Sequence, residues 1–566
     1  MLAFADDTQA KGTPAWLETF GKALKTELDK IGLEVSAAKS RVFNYHKPDN
    51  AAAAASATAL AAALGFTVTS TIEVLGVPMG DAAYVQDTLR TKANELGKLC
   101  TKVLRLADRE VAWRIFQTCL LASGKYHSRM LPPAVVEASA KCSSHHLRSA
   151  CKTLLSEGHG PGVGVTEELK PPPPLPANAK DEDKKRRNRT LLRHELLTVK
   201  LALPYRKGGL AVRTPDRDMH ASYLAGRAEL MMHLRKYSVP WQRAIVRWHT
   251  DAGSTERKAI HEAYNALAAD SKDGKAPIPD VAMLLKTEKL TPSALMSAVD
   301  DHLLDRAETL CSKLGEEGHK MWADMRSCSS KYAHAPFTAP LTPRPLCDDA
   351  TFVAMLRIRV GLSLGWPTRA MCPCQKEVIT TQHAMVCPFT PMYQMRHNAL
   401  LLVMMELVRR AGATARSEPM ARPWAVKRGK DRLDIDVTYG DVRLMLDVTV
   451  AATCRADVRK MALAAITPGC ATKQVIRQKT NHYKATVEAQ GKELQIIAFD
   501  SAGCPVPTTL VYLERWIKAA TPEPDSNGIF ESQHSWRAHI ARAVLQAQAK
   551  AVTSLRRQLA HGPFAA

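Results

Sequence analysis

Cys372-Pro373-Cys374 is followed after eight residues by His383 and after three more by Cys387, and no other stretch restricts the local path of the chain so tightly. Four soft or borderline ligands at this spacing suit tetrahedral Zn2+, and His383 and Cys387 fall about one helical turn apart, on one face. Cys-x-Cys is tighter than the usual Cys-x-x-Cys, and buried cysteines that merely lie near one another are the competing reading. Most of the thirteen cysteines stand alone along the chain, which is unlike a disulfide framework and points to a reducing compartment.

With 566 residues, three or four domains are expected, and 46% hydrophobic residues supply several cores. Few aromatics and abundant alanine favour helix over sheet. The formal charge of +22, from 78 Lys and Arg against 56 acids, attracts polyanions, with nucleic acid the commonest for a soluble protein. A basic enzyme without such a ligand is the alternative. The acidic start, Phe4-Ala5-Asp6-Asp7, does not resemble a signal peptide. Ala51 to Ile72 is uncharged and long enough to cross a bilayer, but it is mostly Ala, Ser and Thr, so no membrane span is expected.

Along the chain, Ile72 to Val77 reads as a strand after an alanine-rich insertion, and Ala82 to Ser149 has amphipathic helical spacing. Pro171 to Pro174 and the charge block Asp181 to Arg187 read as a solvated linker, or as a nuclear-import or phosphate-binding stretch. Helices are expected over Ala221–Tyr237 and Ser293–Leu314, and another from Arg396 to about Arg410.

Two strands with a Gly440-Asp441 hairpin turn follow, Arg432 to Val437 and Leu444 to Val450. Such a hairpin can bring Asp434 and Asp447 together, and converging carboxylates can hold Mg2+ or Mn2+ against a phosphate. Asp436 shares a face with Asp434 but lies nearer the turn. Hydrolysis also needs a cation to orient water and stabilise phosphoryl charge. Thr449 stands two residues after Asp447, where a lysine would serve; Lys479 is the candidate, with Tyr483 one turn later and Lys473 and Lys484 as rivals. Two unremarkable acids on surface strands remain the alternative. Leu494 to Phe499 would return into the same sheet.

Phe4-Ala5-Asp6-Asp7, Gly32-Leu33 to Lys39, and Leu75-Gly76-Val77 come in an order that resembles the second half of a non-LTR retrotransposon reverse transcriptase palm. Leu203 to Val212 is similar to a recurring linker segment of these elements. The Cys372–Cys387 cluster with Arg396-His397-Asn398 resembles their CCHC knuckle, and Asp434, Asp447-Val448, Lys479 and Tyr483 resemble their PD-(D/E)xK nuclease, with Leu433 where proline is common. The resemblance implies a mixed, mostly α chain. Its parts would be a partial palm (1–81), a helical thumb (82–156), a Pro- and charge-rich linker (157–190), a helical linker domain (191–345), a zinc knuckle with its helix (346–411) and an α/β restriction-endonuclease-like domain (412–566).

It further implies nicking of a DNA target in the nucleus to prime reverse transcription of element RNA, with Asp434 and Asp447 on Mg2+ or Mn2+, Lys479 catalytic and Tyr483 auxiliary. Zn2+ would sit on Cys372, Cys374, His383 and Cys387, and His397 would be structural or phosphate-facing. Asp6 and Asp7 would be metal ligands of a polymerase site that lacks its earlier aspartate, so polymerase activity from this chain is not expected. No small-molecule substrate beyond nucleotides is implied. The rival readings are an inactive nucleic-acid-binding remnant and a domesticated interaction module.

Overall fold

The computed structural model describes all residues except 1, 5–6, 11, 45–49, 157–168, 177, 238–250, 252, 272–280, 282–289, 339–346, 365, 367–369, 388, 418–432, 453–471, 522–532 and 562–566. The chain is mostly helical with small sheets. At its start β1 (Leu2–Phe4) pairs antiparallel with β2 (Asp7–Gln9), Phe4 opposite Asp7. β3 (Arg41–Phe43) lies parallel to β4 (Thr67–Thr69), and β5 (Ile72–Val74) forms a hairpin with β6 (Val77–Met79). The tight β5–β6 turn puts Leu75 at φ 49° and Gly76 at φ 79°, the double positive φ that a two-residue hairpin demands. Tyr126 clamps that turn by donating its hydroxyl to the Leu75 carbonyl at 2.6 Å. The alanine tract is a helix, Ala51–Leu64, stopped by Gly65 in the left-handed conformation. Among the described residues no helix is long and apolar enough to cross a membrane.

Asp81 caps the helix Ala82–Leu104, whose Leu89 and Leu96 stripe packs on Val136, Ala140 and Leu147 of Pro133–Leu154. The charge block expected in a linker is helical instead, opening the helix Asp181–Ala202. Its three acids occupy the first turn, where the helix dipole favours negative charge, and the basic residues follow. The block stays almost wholly exposed, and it is the later part of the helix, with Leu196, Leu197 and Val199, that enters the cores. Helices over Pro215–Tyr237 and Pro292–Lys313 begin earlier than apolar spacing alone indicates, since each opens with a proline in its first turn, where the missing N–H costs nothing.

The Leu203–Val212 segment turns a corner that only glycine permits. Gly208 has φ 87°, and a Cβ on Gly209 would lie 2.0 Å from the Leu203 carbonyl oxygen. Arg359, buried on Asp349–Val360, fastens the corner by donating to the carbonyls of Tyr205, Gly209, Cys328 and Ala333.

The C-terminal sheet runs β10 (Glu493–Asp500), β9 (Val442–Ala451), β8 (Ile435–Tyr439), β7 (Thr414–Ser417). β7, β8 and β9 are antiparallel and β10 joins β9 in parallel, so the chain crosses over a sheet face between them through the helix Lys473–Glu488. One face carries Ile435, Val437, Leu444, Leu446 and Val448 against the helices Met392–Arg410, Pro507–Ala520 and Gln533–His561.

That last helix serves two cores. Trp536, Ile540 and Val544 pack on the sheet, whereas Val552, Leu555 and Leu559 join the core of Trp113, Phe116 and Leu147. A buried ion pair sits at the junction: Arg542 donates to the fully buried Glu110, which also lies 3.7 Å from Arg114 and accepts the Cys347 N–H at 3.3 Å. Glu110→Ala would strand two guanidinium groups in a dry interface, and a destabilisation of about 3–5 kcal/mol is expected. Urea unfolding measures it, and a change below about 1 kcal/mol would mean that water reaches the arginines.

Candidate metal cluster and carboxylate site

The Cys372 to Cys387 stretch closes on itself through backbone bonds. Cys372 N–H donates to Glu377 O at 3.0 Å and Ile379 N–H to Ala370 O at 2.8 Å, with Gln375 at φ 59° in the turn. Thr380 caps the short helix Thr381–Val386 by accepting from the His383 N–H at 3.0 Å. The ligand atoms of Cys372, Cys374, His383 and Cys387 all lie within 4.8 Å of one another. Cys372 and Cys387 sulfurs are 3.6 Å apart, and Cys374 Sγ is 3.3 Å from His383 Nε2. Tetrahedral Zn–S bonds of about 2.3 Å place sulfurs about 3.8 Å apart, so the cluster is already near coordination geometry.

Glu377 Oε1 meets His383 Nδ1 at 2.5 Å, which fixes the ring and leaves Nε2 facing the sulfurs. Without metal the two neighbouring thiols diverge. The Lys376 N–H holds Cys374 down at about 7, while burial pushes Cys372 up to about 12. A cation bound to the thiolates removes that conflict. This Cys3His cluster can hold a metal such as zinc.

The second site lies on the opposite sheet face from the main apolar layer. Register sets Ile435 opposite Leu446 and Asp436 opposite Met445, so Asp434, Asp436, Asp447 and Thr449 share a side by alternation. Gly440 takes φ 56° in the hairpin. Asp447 is 3% exposed, and Lys479 Nζ from the crossover helix lies 2.9 Å from its Oδ1 and 2.7 Å from its Oδ2. Asp434 Oδ2 accepts the Val448 N–H at 2.5 Å, and its Oδ1 lies 3.3 Å from His397 Nε2.

Burial lifts the Asp447 carboxyl to about 7, with Lys479 opposing and Asp434 reinforcing the rise. Burial also acts to raise Asp434, but the His397 bond and charge and the Val448 N–H outweigh it and hold this carboxyl below the usual range. Asp434 and Asp447 are thus adjoining carboxylates of opposite tendency, one held ionised and the other reluctant to ionise.

The other residues singled out in the sequence are placed as follows. Lys473 is exposed and Lys484 pairs with Glu488 at 3.7 Å, so of the three lysines Lys479 is the one on Asp447. Tyr483 packs with Leu433, Met445 and Val487 and sets its ring edgewise to His482. Asp436 is taken up by Lys492 at 2.9 Å. Asp6 and Arg432 lie outside the described residues, and Asp7 is described only as the first residue of β2.

His397 is the member of the site that the reading of the carboxylates omitted. One signal was available. His397 precedes Leu400, Leu401 and Met404 by three, four and seven residues, which puts it on the stripe of its helix that packs on the sheet. No model of a known protein family matches the chain, and no curated protein matches it significantly.

Proposed function

We propose that the chain is a metal-dependent DNA endonuclease of a non-LTR retrotransposon, nicking one strand of a target so that the new 3′ hydroxyl can prime reverse transcription. The observation that carries this reading is the contact of Lys479 with the buried Asp447 carboxylate beside Asp434, with Lys479 supplied by a helix rather than by the strand of Asp447. Asp434 and Asp447 would hold Mg2+ or Mn2+, which supplies positive charge for the phosphoryl oxygens and acidifies a bound water. Lys479 contributes the remaining charge. Its ammonium lies at the carboxylates, where it can orient the attacking water and stabilise the phosphorane oxygens. Water oxygen bonds to phosphorus as the P–O3′ bond breaks, and the departing 3′ oxygen takes up a proton.

The net charge of +22 supports DNA and element RNA as partners and the nucleus as the place of action, and the order of motifs from Phe4 to Tyr483 supports the element class. No polymerase step is proposed at Asp6 and Asp7. Zn2+ is the metal proposed for the Cys3His cluster, which would serve as a docking element without chemistry of its own.

Supercoiled plasmid with Mg2+ is the test. The full chain is expected to convert it to nicked circle, and Lys479→Ala to slow conversion by about 10^2–10^3-fold. Equal nicking by both proteins would sink the assignment. DNA binding with a steep salt dependence and no nicking by the unaltered chain would favour the inactive binding reading.

A further inference from the structure

Arg396 and His397 are consecutive on the helix Met392–Arg410, yet they reach different sites. Arg396 is 2% exposed and its Nη2 donates to the Met385 carbonyl at 3.0 Å, at the C-terminal end of the short helix that carries His383. A guanidinium there meets the negative end of the helix dipole, which favours the contact. His397 places Nε2 3.3 Å from Asp434 Oδ1. The same helix buries Leu400, Met404, Leu407 and Val408 against the sheet, so its azimuth is set by the turns that follow the pair.

Asp434 therefore has each oxygen assigned to a different neighbour. Oδ2 is held by the β9 backbone through Val448, and Oδ1 is met by His397. Lys479 contacts the other carboxylate. A carboxylate oxygen accepts more than one partner, so both oxygens of Asp434 keep lone pairs for a cation while their plane is fixed. Outer partners of this kind commonly set the orientation on which metal affinity depends.

We propose that His397 is a positioning residue that orients Asp434 for metal binding, and that Arg396 anchors it to the Cys3His cluster. The inference rests on the carboxylate pair being the metal site of the proposed nuclease. The short triplet after the last cysteine ligand thus has a physical role. Arg396 reads the position of the His383 helix, and the next residue passes that position to Asp434.

Mn2+ titration of the full chain followed by calorimetry tests this, with zinc content measured on every sample. His397→Gln keeps an N–H donor at nearly the reach of Nε2, whereas His397→Asn keeps a polar amide one methylene too short. His397→Asn is expected to weaken Mn2+ binding about tenfold with zinc retained, and His397→Gln to stay within about threefold of the unaltered chain. Mn2+ binding by His397→Asn equal to the unaltered chain, or equal losses in both variants, would overturn the role of His397 and leave the nuclease reading standing. No Asp447→Asn-sensitive Mn2+ site in the unaltered chain would overturn both. Because both substitutions carry the same polar amide at different lengths, a loss confined to His397→Asn reports reach to Asp434.

Discussion

Asp447→Asn is expected to abolish Mg2+-dependent nicking, by on the order of a thousandfold, and to stabilise the metal-free protein at neutral pH. Both effects come from one source. The carboxyl is buried, and burial pushes its pKa up to about 7 from the ordinary 3.8. In the unfolded chain it ionises near 3.8, whereas the fold retains the proton until about 7. Between those values the folded state binds more protons than the unfolded one, so metal-free stability is greatest below about 4 and falls as pH rises towards about 7. The slope for one such group approaches about 1.4 kcal/mol per pH unit, and the total is a few kcal/mol.

Asparagine cannot ionise, so the variant lacks this term. Urea midpoints measured with chelator at pH 5 to 8 should fall with pH for the unaltered chain relative to Asp447→Asn. Parallel curves would mean that water reaches Asp447 and relieves it. Divalent metal should reverse the trend, because a cation favours the ionised form and its own affinity drops as pH falls below about 7. On the proposed function, activity and metal-free stability are expected to move in opposite directions on this one substitution.

Residues that depend on local rules were readable from the chain. Alternation across β8 and β9 put Asp434 and Asp447 on one side, and the glycine hairpin set which residues face each other. Lys479 stood beside Lys473 and Lys484 as rivals, and only the packing of its helix on the sheet sets it on Asp447. His397 was harder, since its partner belongs to a different element: spacing to Leu400, Leu401 and Met404 sets it on the sheet-facing stripe but does not point to Asp434. The same holds for Lys492, which neutralises Asp436 from the turn before β10. The charge block at 181–187 was read by composition, which measures whether a segment can build a core; it cannot. Helix formation there rests on the order of charges along the dipole instead. Arg359 shows the limit most clearly, because a buried arginine serving four carbonyls leaves no pattern in its neighbours.

Cys387→Ser should release the metal and cost the surrounding core several kcal/mol. Cys372 and Cys387, with Ile379, Met385 and Met392, belong to the same apolar cluster as Trp113 and Leu555, so the metal loop is part of the main core. Gln548 of the C-terminal helix reaches Met385 at 2.9 Å, and Arg396 reaches the same residue from the other side. In small zinc domains, metal binding contributes about 10–16 kcal/mol to folding; here the packed neighbours retain part of the order, so a loss of about 3–6 kcal/mol is expected. Serine is close in size to cysteine, which leaves packing nearly intact and isolates the ligand. Cys119, exposed and not one of the four clustered ligands, supplies the control: Cys119→Ser should change neither zinc content nor stability. If Cys387→Ser lost zinc and kept its urea midpoint, core packing alone would hold the loop, and the path from knuckle to Asp434 would not depend on metal. If stability and Mn2+ affinity fell together while Cys119→Ser stayed unchanged, the knuckle would be acting on the carboxylate site through the helix that joins them.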